Sequence, residues 1–144
     1  HDVPLSHYLS PNPELRRILA GYPERKFIFT NGDRPHALRV LEILGLSDIF
    51  DDIIDITMLS PYCKPMLEAF DIALELAGNP RPQQCVFIDD APRNLVAAHS
   101  RHFQTILVGP PDPAASFAPA IPRLVELPSV LPVNGGQIVE ALHE

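Results

Sequence analysis

Lys26-Phe27-Ile28-Phe29-Thr30-Asn31-Gly32-Asp33 is the stretch whose reading decides the fold of this chain. Lys26 to Phe29 is short, apolar, and rich in aromatic and β-branched residues, the composition of a buried strand. A turn follows at once. Gly32 lets the backbone bend, and Asp33 is placed to cap a helix that opens at Arg34-Pro35. Thr30 and Asn31 therefore fall at the carboxyl end of a strand, where it hands over to a helix. In open α/β sheets that crevice is the usual ligand site, and helix amino termini favour anions such as phosphate. Taken alone, the stretch reads as an ordinary capped strand-to-helix turn. Two later stretches change that reading.

Working outward, Asn12-Pro13-Glu14 opens a helix over 14–20, with Leu15, Ile18 and Leu19 on one face. Downstream, Ala37, Leu38, Leu41 and Leu44 keep the helical period over 34–45, and Gly45 closes it. A short strand is expected at 52–56, then a loop, Ser60-Pro61-Tyr62-Cys63-Lys64-Pro65, and a helix over 66–77 ending at Gly78. Residues 84–90 read as a strand with an apolar body and an acidic end, Asp89-Asp90. Pro92 begins a helix through Ser100, and 104–108 is a further strand. Strands and helices alternating at this spacing imply an α/β fold: a three-layer, Rossmann-like parallel sheet with helices on both faces.

Proline accounts for 17 of the 144 residues and crowds the start and the last third. Residues 1–13 read as an entering segment, 14–108 as the core, and 109–144 as a proline-rich extension in which long helices cannot persist. Within that extension Leu124 to Leu127 suggests a short edge strand, and Gly135-Gly136 precede an expected final amphipathic helix to about residue 143.

A chain of this length is one domain with enough sequence for a real core. Its formal net charge of −7 argues against general nucleic-acid binding, which needs a basic face. No apolar run approaches transmembrane length and no leader-like pattern opens the sequence, so no membrane partner is expected. Cys63 and Cys85 make no disulfide framework; buried free thiols in a reducing compartment, and hence a cytoplasmic location, are the expectation.

Three polar clusters fall on the carboxyl side of strands: Thr30-Asn31, Lys64 and Asp89-Asp90. A parallel sheet brings all of those ends to one edge. Two adjacent carboxylates at the end of an apolar strand repel each other unless a cation lies near, and Mg²⁺ favours such oxygen ligands while keeping several waters. Asn94 follows Asp90 by about one helical turn, within reach of a metal-bound water. The competing reading is that one aspartate caps the next helix and the other faces water. Lys64 in its loop is either solvated or a point charge balancing Asp89 or a phosphate. The histidines show no convincing metal-ligand spacing.

Threonine, then lysine, then an acidic pair, each at the end of a successive strand, resembles the haloacid dehalogenase (HAD) superfamily of phosphatases. Response-regulator receiver domains use similar residues in the opposite order. Phe29-Thr30-Asn31-Gly32-Asp33-Arg34-Pro35-His36-Ala37, with Tyr62-Cys63-Lys64-Pro65 and Phe87-Ile88-Asp89-Asp90-Ala91-Pro92-Arg93-Asn94, is similar in detail to the pyrimidine 5′-nucleotidase branch. The resemblance covers about residues 13–109. It implies a Mg²⁺-dependent phosphoric monoester hydrolase. An aspartate on the first strand attacks phosphorus and forms an aspartyl-phosphate, and a second aspartate protonates the leaving oxygen. By the same resemblance Thr30 and Lys64 are catalytic, and Thr30, Asn31 and Lys64 hold the phosphoryl group. Asp90 binds Mg²⁺ directly, with Asp89 and Asn94 beside it. The substrate is a small phosphorylated molecule; a pyrimidine nucleotide rests on branch resemblance alone.

The sequence departs from this pattern in one respect. The first motif of the family, Asp-x-Asp after an apolar strand, is absent; Asp55-Ile56-Thr57 has neither its spacing nor its place. In the family that strand is central in the sheet and is followed by a cap, whose tail residues 1–13 resemble. The expectation is therefore a partial domain, without its central first strand and inactive alone, whose open sheet edges invite self-association. The alternatives are a non-catalytic phosphate- and metal-binding module, and a strand-sharing interaction module.

Overall fold

In the computed structural model, residues 10–133 and the backbone of 138–142 are described. The chain begins with α1 (Pro13–Ala20), whose first turn is capped by the Asn12 side chain accepting from the Leu15 N–H. Next come β1 (Phe27–Phe29) and α2 (Arg34–Leu44). Asp33 caps α2 through the His36 N–H, and Gly45 ends it at φ 75°, a left-handed conformation that glycine adopts without strain. Then follow β2 (Asp52–Ile54), the one-turn α3 (Ile56–Leu59), α4 (Leu67–Leu76), β3 (Cys85–Asp89), α5 (Pro92–Ser100) and β4 (Gln104–Val108). Two further strands close the order: β5 (Ala120–Ile121) and β6 (Ile138–Leu142).

All six strands join one parallel sheet in the order β2-β1-β6-β3-β4-β5. Side chains alternate across it. Phe27, Phe29, Cys85 and Phe87 face α4 and α5, where Phe70, Ala73, Leu95 and Ala98 complete one core. Ile28, Val86 and Ile88 face the other way, against Leu15 and Leu19 of α1 and Ala37 and Leu41 of α2. This is the expected three-layer α/β arrangement. On the first face Phe29, Phe70 and Phe87 meet edge to face, with centroids 5.1–5.9 Å apart. Such pairs contribute about 0.5–1.5 kcal/mol each beyond burial, and they form a stiff floor beneath the sheet's carboxyl edge.

The proline-rich extension differs from expectation in two places. Residues 138–142 are a strand, not part of a final helix; the ends of that expected helix, at 137 and 143, lie outside the described residues. β6 pairs with β3 from Cys85↔Ile138 to Ile88↔Leu142, with a bulge at Val86/Phe87, and with β1 at Ile28↔Leu142. Local periodicity is outweighed here by two inner strand edges whose backbone N–H and C=O groups need partners. The slot that the sequence reading left without a central strand is thus filled, and the edges expected to stay open are both paired. Leu124 to Leu127 belongs to a 3₁₀ turn (Leu124–Ser129), not to an edge strand; the edge strand is β5. Pro128, inside that turn, has no N–H to give a ladder. Of the entering segment, residues 1–9 lie outside the described residues.

Candidate functional site

The carboxyl ends of β1 and β3, with the loop before α4, build the site. At the end of β1 the Thr30 N–H donates to the Ile54 carbonyl and the Ile56 N–H donates to the Gly32 carbonyl, tying this edge to β2. The buried Thr30 hydroxyl accepts the Gly32 N–H at 2.9 Å, which fixes its oxygen at the turn. A β-carbon at Gly32 would lie 3.3 Å from that same oxygen, so a side chain there would press the Thr30 hydroxyl back by a few tenths of an ångström.

Lys64 enters the site from the α3–α4 loop. Its Nζ donates to the Phe29 carbonyl at 2.7 Å and lies 3.9 Å from Asp89 Oδ2. The faces of Phe29 and Phe87 lie beneath it, 5.0 and 5.6 Å from their centroids. A buried ammonium is costly unless it is compensated; here a carbonyl, a carboxylate and two ring faces supply the compensation. The solvated-loop alternative for Lys64 is excluded, because its side chain is wholly buried. The Asn31 side chain, at the end of β1, meets both backbone polar groups of Lys64.

At the end of β3 the two aspartates diverge. Asp89 is fully buried. Its Oδ1 accepts the Asp90 N–H at 2.8 Å and its Oδ2 accepts the Asn94 Nδ2 at 2.6 Å. Asp90 is exposed at the mouth. α5 begins at Pro92, and its N-cap position is Ala91, not either aspartate. Asn94 is buried, and its Oδ1 has no hydrogen-bond partner. An orphaned buried amide oxygen one helical turn from an exposed carboxylate is a fit for a hard cation with bound water. Asp90 would hold Mg²⁺ from the mouth, with Asn94 and Asp89 behind it. Among the described residues no group of three His, Cys, Asp or Glu side chains forms a denser metal site.

Thr30, Asn31, Lys64, Asp89, Asp90 and Asn94 therefore share one edge of the sheet, as the sequence predicts. What sequence reasoning missed is Asp55, buried at the end of β2. It accepts from the Arg34 N–H at 2.8 Å, the Thr57 hydroxyl at 2.7 Å and the Met58 N–H at 3.3 Å, so it joins the starts of α2 and α3 behind the Thr30 turn. Burial pushes its carboxyl up, but the Thr57 hydroxyl and the backbone N–H groups of Arg34, Met58 and Thr57 outweigh burial and hold it below the ordinary value. The Asp-x-x-Met spacing was the available signal, a capping aspartate before a short apolar turn. Of the described histidines, His99 stacks on Phe117 at 4.0 Å. Cys63 and Cys85 are free thiols, and no helix of the described residues is long and apolar enough to cross a membrane.

The family model described as haloacid dehalogenase-like hydrolase matches residues 1–100. The chain belongs to this family. Among curated relatives, this HAD-like chain is similar to Phosphate metabolism protein 8 of Saccharomyces cerevisiae, at 33% identity over 110 residues. That match covers 68% of this chain and 34% of the relative, so the chain spans about a third of that protein's length. Among solved structures, a putative beta-phosphoglucomutase from Thermotoga maritima superposes with TM-score 0.73 at 25% identity, over 88% of this chain and 62% of that one. The L-2-haloacid dehalogenase from Xanthobacter autotrophicus gives 0.71 at 19% identity, over the same shares. The dehalogenase likeness speaks for the fold. The HAD-like architecture expected from the order of Thr30, Lys64 and Asp89-Asp90 is thereby borne out.

Proposed function

We propose that this HAD-like chain supplies the phosphoryl- and Mg²⁺-holding part of a phosphoric monoester hydrolase that works through an aspartyl-phosphate. The observation that carries this reading is the buried Lys64 ammonium, held between the Phe29 carbonyl and Asp89 at the edge that also carries Thr30 and Asp90. A fixed positive charge and a fixed hydroxyl at one edge are suited to a dianionic group whose charge grows during transfer. Thr30 faces the phosphoryl oxygens and Lys64 sets a buried positive charge behind them, while Asn31 stands beside them. Asp89 orients Lys64, and Asp90 with Asn94 holds Mg²⁺, which when bound neutralises charge on the transferred group. The substrate class is a small phosphate ester, with pyrimidine nucleoside monophosphates first in line from the motif resemblance, and the setting is cytoplasmic.

Titration calorimetry with orthophosphate, with and without Mg²⁺, tests this reading. Phosphate binding that requires Mg²⁺ and is lost in Thr30→Val supports it; no binding under either condition overturns it. A second reading is favoured by one observation: β6 occupies the central slot, and the sequence carries no Asp-x-Asp. On that reading the chain binds phosphate and metal without turnover, and phosphate affinity without hydrolysis in any reconstituted mixture distinguishes it. A strand-sharing module would in turn require β6 to leave its slot, which the oligomeric state in solution reports.

A further inference from the structure

Asn31 grips Lys64 at both polar atoms of its backbone. Asn31 Oδ1 accepts the Lys64 N–H at 2.8 Å, and Asn31 Nδ2 donates to the Lys64 carbonyl at 3.0 Å. The two residues are 33 positions apart, one at the end of β1 and the other in the loop before α4. The backbone of Lys64 fixes which way the amide lies, since an N–H only donates and a C=O only accepts. An aspartate could accept but not donate; a serine would offer a single short arm. Meanwhile the other end of Lys64, its Nζ, donates to the carbonyl of Phe29. Phe29 and Asn31 are two residues apart on the same strand end. The end of β1 therefore holds Lys64 twice, by its backbone and by its ammonium.

We propose that Asn31 is a positioning residue, which sets the Lys64 ammonium in the site by clamping the loop backbone. Its amide is committed to this clamp, so the side chain serves the phosphoryl group through Lys64. A lysine has a long, freely rotating stem. Anchoring its Cα relative to β1 removes the loop's freedom from the position of Nζ, and only the stem's rotamer remains to be set. The aromatic floor of Phe29 and Phe87 sets that. The proposal rests on the phosphoryl-binding reading of the site for its functional meaning.

The test uses the full chain labelled with ¹⁵N. A buried, hydrogen-bonded ammonium exchanges its protons slowly, and the Lys64 signal is identified by its loss in Lys64→Gln. In Asn31→Ala the ammonium protons are expected to exchange about tenfold faster, the scale of one lost hydrogen bond. The Lys64 backbone N–H loses its protection as well. Asn31→Asp, which keeps the acceptor and loses the donor, falls between and covers the case in which the alanine variant does not fold. Orthophosphate affinity in Mg²⁺ drops in Asn31→Ala, but not when Lys64→Gln is already present. Wild-type ammonium exchange in both Asn31 variants overturns the proposal. So does an equal loss of phosphate affinity in both backgrounds, which would mean that Asn31 acts on phosphate directly. If the unmodified chain binds no phosphate, the phosphoryl reading fails, while ammonium exchange still decides the clamp.

Discussion

Lys64 Nζ and Asp89 Oδ2 stand 3.9 Å apart with both side chains closed off from solvent. Each charge is tolerable because the other is there. Removing one partner strands the other in a site that water does not reach, which costs roughly 3–5 kcal/mol. Lys64→Met and Asp89→Asn should each lower stability on that scale in urea unfolding. The double variant should cost clearly less than the sum. Additive losses would show that the two charges do not depend on each other.

Asp90 carries the exposed carboxylate at the mouth of the proposed metal site, with the unpartnered Asn94 oxygen behind it. Replacing Asp90 by Asn removes a charge without changing shape. Mg²⁺ affinity of the chain should fall by at least about tenfold, since an ionised ligand's contribution exceeds one neutral hydrogen bond. Any Mg²⁺-dependent turnover in a complete enzyme should fall with it. Calorimetry with Mg²⁺ returning the unmodified affinity would remove Asp90 from the metal site.

By itself the chain should not hydrolyse an aryl phosphate in Mg²⁺. A positioned carboxylate nucleophile is needed, and the described acids near the site are otherwise engaged. Asp33 caps α2, Asp55 caps α3, and Asp89 faces Lys64. A companion segment carrying Asp-x-Asp after an apolar strand should restore activity. Rapid release of the aryl group by the chain alone would place the nucleophile on a residue already present.

Asp55 gives a pH signature. Its folded carboxyl titrates below its ordinary value, so the stabilisation it supplies is complete above the unfolded pKa of about 3.9. That stabilisation is lost as pH falls through the lower, folded value. At neutral pH Asp55→Ala should cost about 1 kcal/mol or more as a lost cap. The gap between the two proteins should narrow below about pH 4. A gap that stays constant down to pH 2 would mean that the ionised carboxylate contributes nothing special.

Local signals carried most of the fold. Phe27 to Phe29, the Asp33 and Gly45 caps, and the apolar body before Asp89 each declare their element within a few residues. Asn94 was legible too, because it lies one turn beyond Asp90. Ile138 to Leu142 was not: five residues with two apolar ends suit a helix face as well as a strand, and the decision belongs to the edges of β1 and β3, far away in sequence. Leu124 to Leu127 failed for a related reason, since a short apolar run before Pro128 says little about which partner it has. The two bonds from Asn31 to Lys64 join elements 33 positions apart, and no spacing rule reaches that far.

The place of β6 also sets the order of assembly. Until Ile138–Leu142 arrives, β2-β1 and β3-β4-β5 are two half-sheets with facing, unpaired edges. Every earlier strand pair can form from segments nearer in sequence, but the join between the halves waits for the most distant contact, Leu142 with Ile28. Folding should therefore be slow relative to size, because that loop must close before its contacts reward it. While β6 is undocked, the site residues lie on separate halves, exposed to chaperones and to pairing with neighbouring chains.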